Sequence, residues 1–250
     1  MNQNLYQYTL QLADNAHILS HRLGEWCGHG PVLEQDIAMT NLALDLIGQA
    51  RTLYQYAAQI EGKGRTEDDM AFLRDGWDFY NLLLVEQTNG DFGKTVARQF
   101  LYDVFIHLFY TQLQKSTDTM LAAIAEKSLK ETTYHLRWSS EWVIRLGDGT
   151  EESKRRMQEG LNEVWRYSDE LFQMTDREKA LAAEGIAPDV SLLKPLWEEK
   201  VAAILTEATL TEPKVAGMQY GGKLGRHTEH FGYILAEMQF MQRAYPGQQW

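Results

Sequence analysis

Apolar side chains recur along this chain at intervals of three, four and seven residues, which is the spacing of one face of an α-helix. The clearest example is the series Met39, Leu42, Leu46, Leu53 and Ile60. No stretch alternates apolar and polar residues over any length, as a half-buried strand would. The chain also lacks proline between positions 32 and 187, as expected of long helices, because proline breaks a helix interior.

The pattern predicts eight helices separated by short breaks. They are expected at about 5–27, 33–60, 92–115, 119–146, 151–172, 177–184, 192–210 and 223–243. Glycine-rich turns at 28–31 and 62–64 end the first two helices. Residues 66–87 are expected to form short helices or turns that cross the helical core. The sequence therefore predicts an all-α fold and a single domain over 1–250.

Composition narrows the class of protein. The chain has 250 residues and 44% hydrophobic content, enough to bury a substantial core. Its net charge of −11, from 24 Lys plus Arg against 35 Asp plus Glu, argues against binding to nucleic acid or to an anionic membrane. The single cysteine, Cys27, rules out an internal disulfide. Since the first residues also lack a signal-peptide pattern, we expect a cytoplasmic protein.

The candidate chemistry lies in Leu44–Arg51 and Lys130–His135. In helical bundles that bind two irons, two helices each give a Glu and two give Glu-x-x-His, all facing the core. The residues that stand three before the seven histidines are Asp14, Ile18, Trp26, Val104, Thr132, Leu224 and His227. Because none of these is Glu, the two segments resemble a paired di-iron motif that has lost ligands.

Several segments together resemble one known family. They are Arg22–His29, Leu44–Arg51, Leu82–Gln87, Tyr134–Arg137, Gly221–Lys223, His227–His230 and Pro246–Trp250. Along essentially its whole length the chain resembles the non-catalytic C subunits of bacterial ring-1,2-phenylacetyl-CoA epoxidase, in the PaaA/PaaC family of ferritin-like proteins. The resemblance implies a ferritin-like four-helix bundle over about 4–147, with additional C-terminal helices over about 150–243.

The catalytic A subunits of that family hold the di-iron centre, and their motifs can be placed on this chain. The pattern Asp-Glu-x-Gly-His falls on 45–49, so that Glu becomes Leu46 and His becomes Gln49. The pattern Lys-Glu-Glu-x-x-His falls on 130–135, so that a Glu becomes Thr132 while His135 remains. Asp103 is the candidate remnant on the third long helix. The first-helix Glu falls near Ser20 or His21.

The expected loss of metal affinity shows what these replacements mean. Loss of one group that merely orients a ligand usually lowers metal affinity by about 10- to 100-fold, and here ligands themselves are replaced. We therefore expect neither a metal nor another cofactor in this chain. Buried polar groups need partners, so we expect a hydrogen-bonded network among Gln49, Asp103, Thr132 and His135.

The resemblance implies a structural subunit that pairs with and stabilises the di-iron catalytic subunit in aerobic phenylacetate catabolism. Other partners would be the remaining subunits of the complex, including the reductase, directly or indirectly. One alternative is an oxygenase with an atypical centre built from Asp103, His107, Glu131 and His135. A second alternative is a CoA-thioester binding module. Its candidate cations are Arg22, Arg51, Arg137 and Arg145.

Three smaller features favour structural roles. His227, Glu229 and His230 are too few to predict zinc and are expected to cap or pack. The pair Asp14 and His17 has ligand spacing but lies off the main apolar stripe. Cys27, at the end of a helix, is expected to be a small buried residue.

Overall fold

Nine α-helices make up most of residues 2–248, the part of the chain that the computed structural model describes, and this part contains no strand. The helices are α1 (Gln3–Gly24), α2 (Leu33–Glu61), α3 (Glu67–Phe72), α4 (Phe92–Leu113), α5 (Thr119–Gly147), α6 (Glu151–Val164), α7 (Asp176–Ala183), α8 (Lys194–Glu207) and α9 (Glu229–Ala244). The predicted all-α class is confirmed. None of the helices within these residues is long and apolar enough to cross a bilayer. The last two residues of the segment Pro246–Trp250 lie outside the described range.

Side chains at the helix starts explain several boundaries. Thr66, Thr150 and Thr175 each begin a helix with a reciprocal capping box. In each box the threonine hydroxyl accepts from the backbone N–H three residues later, and the side chain of that residue accepts from the threonine N–H. Asp91 and Asp118 cap α4 and α5 through their carboxylates. These caps agree with the predicted starts of α4 to α6 to within one residue.

The largest errors in the predicted boundaries lie in the first, fifth and last helices. The fifth helix, predicted over 151–172, ends at Val164 and is followed by two short 3-10 turns. The first helix ends at Gly24 instead of position 27, and the following turn uses Gly28 at φ +79°. Cys27 therefore lies in a turn and is exposed, contrary to the expectation of a buried residue. The last helix begins at Glu229 instead of position 223, because Thr228 is extended and both it and His227 bond to Glu86.

The chain packs as two compact units. Unit 1 comprises 1–86 and 221–250, and unit 2 comprises 87–220. Unit 1 contains the long antiparallel pair α1 and α2 together with α3 and α9. Unit 2 contains the long pair α4 and α5, against which α6 and α8 pack. The single domain over 1–250, with a core over about 4–147, stays a prediction.

Unit 1 is held together by polar side chains on α1 as well as by its apolar core. Asp14 and Asn15 are buried on α1 and accept hydrogen bonds from the backbone nitrogens of Tyr80 (2.8 Å) and Leu82 (2.7 Å). Because the irregular segment after α3 has few backbone partners of its own, these side chains satisfy its buried N–H groups. They thereby fix its path beside α1.

Unit 2 owes its close packing to glycine and its core to aromatic rings. A Cβ atom on Gly160 of α6 would lie 2.6 Å from the Cα atom of Lys94 on α4, so the two helices touch backbone to backbone. The indole nitrogen of Trp197 on α8 donates to the carbonyl oxygen of Leu101 at 3.0 Å. Its ring also packs on Phe172, with 5.4 Å between centroids.

Candidate functional site

All five predicted remnant positions are buried. Leu46 and Gln49 lie on α2 in unit 1, on the inward stripe that the spacing predicted. Asp103 on α4 and the α5 residues Thr132 and His135 lie in unit 2. The helical spacing therefore placed these five residues on inward faces correctly.

Asp103 is a deeply buried carboxyl group with a shifted pKa. It is 1% exposed, and its Oδ1 accepts a hydrogen bond of 2.7 Å from the amide of Gln99 one turn earlier. Its Oδ2 has no hydrogen-bond partner among the described residues. Burial raises its pKa from 3.8 to about 6, although nearby His135, Ser139 and Gln99 act in the opposite direction. A carboxyl group with this pKa loses its proton within the near-neutral range.

Thr132 and His135, the two residues of this set on α5, have different interactions. The hydroxyl of Thr132 donates to the carbonyl of Leu129 at 3.3 Å, as side-chain hydroxyls in helices often do. His135 stands near enough to Asp103 to affect its pKa. His135 therefore lies close to Asp103 within unit 2, and Gln99 bonds Asp103 although the sequence did not indicate it. The predicted network among Gln49, Asp103, Thr132 and His135 stays a prediction.

This donor set does not fit a pair of irons. Leu46 has no donor atom, the oxygen of Thr132 is a neutral hydroxyl, and Asp103 shares its carboxylate with an amide. Two irons need about four carboxylates and two imidazoles. Among residues 2–248, no three His, Cys, Asp or Glu side chains converge in a way that could hold a metal ion.

The alternative centre also includes His107 and Glu131. His107 is half-buried, and its pKa is lowered by burial and by Lys200. Glu131 is partly exposed. The cation beside the imidazole of His107 disfavours a metal, which would add positive charge.

A second buried polar cluster lies in unit 1 around Asp14. Its carboxylate accepts hydrogen bonds from the hydroxyl of Tyr54 (2.7 Å), from the guanidinium of Arg74 and from the backbone of Tyr80. Burial alone would lower the pKa of Arg74, but the carboxylate of Asp14, together with Tyr54 and Tyr6, more than offsets this and raises it. Breaking such a buried pair from one side costs about 3–5 kcal/mol. Asp14 is therefore a structural anchor, as the sequence favoured.

Two histidines extend this cluster, and their hydrogen-bond directions follow from the partners. The one hydroxyl proton of Tyr54 goes to Asp14, so the Nδ1 of His17, 3.1 Å from the tyrosine oxygen, must donate. Burial, with help from His21 and Arg74, lowers the pKa of His17 well below 6.5, so this ring is neutral. Its Nε2 therefore accepts from the Nε2 of His21 at 3.1 Å.

The result is a chain of donors from His21 through His17 and Tyr54 to Asp14. It uses the ring nitrogens that would otherwise be offered to a metal. Sequence spacing showed the i, i+3 relation of Asp14 and His17, but it missed Tyr54 and Arg74. These partners lie 40 and 60 residues from Asp14, and no local pattern connects residues so far apart.

Glu86 is a third buried polar centre. Its carboxylate meets the Nδ1 of His227 at 2.8 Å, the backbone nitrogen of Thr228 at 2.6 Å and the amide of Asn81 at 2.9 Å. The other ring nitrogen of His227 donates to the carbonyl of Phe79 at 3.0 Å. His227 thus connects the segment before α9 to the segment after α3 through hydrogen bonds. Both of its ring nitrogens contact protein oxygens instead of being offered to zinc.

The four candidate arginines for a CoA phosphate contact protein groups. Arg22 donates to the carbonyl of Glu86 at 2.8 Å and to the carboxylate of Glu25 at 2.7 Å. Arg51 pairs with Glu67, and both Arg137 and Arg145 pair with Glu141. Exposed ion pairs are common and individually weak, so these contacts give no support to a CoA site.

Comparison with known proteins identifies the family. A family model described as "Phenylacetic acid catabolic protein" matches residues 1–250. The C subunit of 1,2-phenylacetyl-CoA epoxidase from Escherichia coli (strain K12) is 52% identical over 250 residues, covering 100% of both chains. The chain belongs to the phenylacetic acid catabolic protein (PaaA/PaaC) family, and its all-α architecture is that of this ferritin-like group.

Proposed function

We propose that this chain is a structural, non-catalytic subunit of a 1,2-phenylacetyl-CoA epoxidase. The supporting observation is its 52% identity, along its full length, to a protein named as the C subunit of that enzyme. The donor set described above adds a chemical reason, because Leu46, Gln49 and Thr132 stand where the catalytic pattern has ligands. The chain would pair with the di-iron catalytic subunit and keep it folded and correctly shaped.

The division of labour follows from this proposal. The catalytic subunit would bind the irons and epoxidise the aromatic ring, with electrons from a reductase subunit. This chain would supply a large contact surface, since obligate interfaces between subunits are extensive and largely apolar. Its own buried polar clusters would maintain its shape instead of taking part in the reaction.

Co-expression tests the proposal. The catalytic subunit would be produced with and without this chain, and its soluble yield, co-purification and epoxidase activity with the reductase would be measured. We expect the two chains to co-purify at equal stoichiometry, and the activity to require both. If the catalytic subunit alone is stable and fully active, the proposed role is wrong.

A second arm separates structural from catalytic contributions. The variants Asp103→Asn and His135→Gln alter the remnant site in this chain. Under the proposal they reduce activity no more than they reduce complex formation. A large loss of activity in a fully assembled complex would instead favour the oxygenase alternative.

A further inference from the structure

Besides its buried stripe, α2 presents a line of apolar side chains to solvent. Leu33, Ile37, Leu44 and Ile47 are 72%, 52%, 61% and 38% exposed. With Thr40 they follow an alternating four-and-three spacing, the pattern of a seam between two packed helices. We call Leu33, Ile37, Thr40, Leu44 and Ile47 the α2 seam. A helix that faces only water normally carries polar residues there.

Two cavities flank the α2 seam within unit 1. The first, of about 410 Å³, lies between α1 and α2 and is bounded by His21, Gly24 and Ala43. The second, of about 440 Å³, lies between α2 and α3 and is bounded by Gly48, Tyr54 and Phe72. Leu44 and Ile47 form a wall of both.

One glycine lines each cavity, Gly24 the first and Gly48 the second. A Cβ atom on Gly24 or on Gly48 would meet no other heavy atom within 4 Å. Each position therefore leaves open space beside the α2 seam that an ordinary side chain would fill. Interfaces concentrate their binding energy in large apolar or aromatic side chains that enter such pockets.

Acidic residues surround the α2 seam, as charged residues surround the apolar centre of many interfaces. Near it stand five acidic residues, namely Glu25, Glu34, Asp45, Glu67 and Asp68. Glu25 already pairs with Arg22 at 2.7 Å. The nearby cation Arg51 already pairs with Glu67 at 3.1 Å. A second copy of this chain would bring an equally acidic rim against this one, and like charges disfavour association. The charge pattern therefore favours a different partner with basic residues beside an apolar stripe.

The length of the α2 seam indicates that it would form the centre of a larger interface. From Leu33 to Arg51 the helix rises about 27 Å at 1.5 Å per residue. One docked helix covers only part of the roughly 800 Å² that each partner buries in a standard interface. The α2 seam would thus be the apolar centre of a larger contact.

We infer that the α2 seam is the docking surface for an amphipathic helix of the catalytic subunit. That helix would place one large apolar side chain in each cavity and Lys or Arg side chains against the acidic rim. This inference rests on the proposed function and adds the location and the chemistry of the contact.

Three variants test it in the full-length chain. Leu44→Glu places a charge at the centre of the α2 seam. Gly48→Leu fills the second cavity with an apolar group and should favour the helix, because leucine has a higher helix propensity than glycine. The control is Leu224→Glu, since Leu224 is also in unit 1 and is 62% exposed. Circular dichroism and thermal melts would confirm that all three fold.

Affinity for the purified catalytic subunit would be measured by titration calorimetry. We expect Leu44→Glu and Gly48→Leu each to weaken binding about tenfold or more, and Leu224→Glu to leave it unchanged. Higher salt should weaken binding by the wild-type chain, because the rim charges are screened.

The outcomes separate the two proposals. If the wild type binds and Leu44→Glu and Gly48→Leu bind equally well, the α2 seam is not the contact, while the proposed function stands. If the wild type does not bind the catalytic subunit at all, both proposals are wrong. If Leu44→Glu abolishes self-association but leaves capture of the catalytic subunit unchanged, the occupant is a second copy and the inference is overturned.

Discussion

Buried ionisable residues in this chain respond to pH in opposite ways. His17 has a pKa lowered by burial, so it favours the folded state above the ordinary histidine pKa and loses that contribution as pH falls. Asp103 has a raised pKa, so its contribution changes in the other direction. The folded protein holds the Asp103 proton between about pH 4 and 6, where the unfolded chain has released it.

This difference makes a prediction for Asp103→Asn. Raising the pH from 4 to 6 destabilises the wild type through this carboxyl group, because the folded state must give up a proton that it binds more tightly. The variant has no such proton. Its stability relative to the wild type should therefore rise across this range, by at most about 3 kcal/mol for a pKa near 6. Urea unfolding at pH 4, 5, 6 and 7 would measure it.

The effect is identified by how the stability difference between variant and wild type changes with pH. The substitution also alters the hydrogen bond to Gln99, but that change shifts the stability difference by about the same amount at every pH. Asp148→Asn is the matched control, since Asp148 is exposed at the end of α5. The rise for Asp103→Asn over this pH range should exceed the change for Asp148→Asn. A flat or falling difference for Asp103→Asn would show that the carboxyl group is not perturbed as described.

At the scale of the elements, two helical glycines differ in how closely their surroundings pack against them. At Gly160 in α6, an added Cβ atom would lie 2.6 Å and 2.8 Å from the Cα and N atoms of Lys94. Those are backbone atoms of α4, so the helices must separate. At Gly232 in α9, an added Cβ atom meets nothing within 4 Å.

Alanine at these two positions should therefore change stability in opposite directions. Gly160→Ala overpacks the α4–α6 contact and should cost about 1–3 kcal/mol. Gly232→Ala should gain about 0.5–1 kcal/mol, because alanine has the higher helix propensity. Chemical denaturation of both variants gives the comparison. Equal effects of the two substitutions would mean that α4 and α6 do not touch at their backbones.

The helices show what periodicity can and cannot predict. It placed Gln49, Thr132 and His135 on buried faces, because a helical repeat records which face meets the core. It could not show that Thr228 would bond Glu86, 142 residues away, and so it started the last helix too early. Gln99 was missed for another reason: an amide one turn from a carboxylate is common on helices and carries no distinctive signal.

At the scale of the whole molecule, the chain has the all-α architecture of its family. Its all-α fold needs only the apolar stripes, which tolerate many substitutions of similar size. A metal centre needs specific donors, and replacing one of them removes a bond that packing does not restore. A paralogue can therefore keep the bundle while losing the chemistry, and its exposed surface then becomes the part that carries function.

The proposed function leads to a prediction for the iron content of the purified proteins. After anaerobic loading with ferrous iron and desalting, the isolated chain should retain no stoichiometric iron, whereas its complex with the catalytic subunit should hold about two irons, as in a ferritin-like di-iron site. Metal analysis of both samples and of the catalytic subunit alone makes the test. Near-stoichiometric iron in the isolated chain would mean that its side chains form a centre after all. In that case Asp103→Asn and His135→Gln should abolish the iron if the centre lies in unit 2, and the oxygenase alternative would replace the structural one.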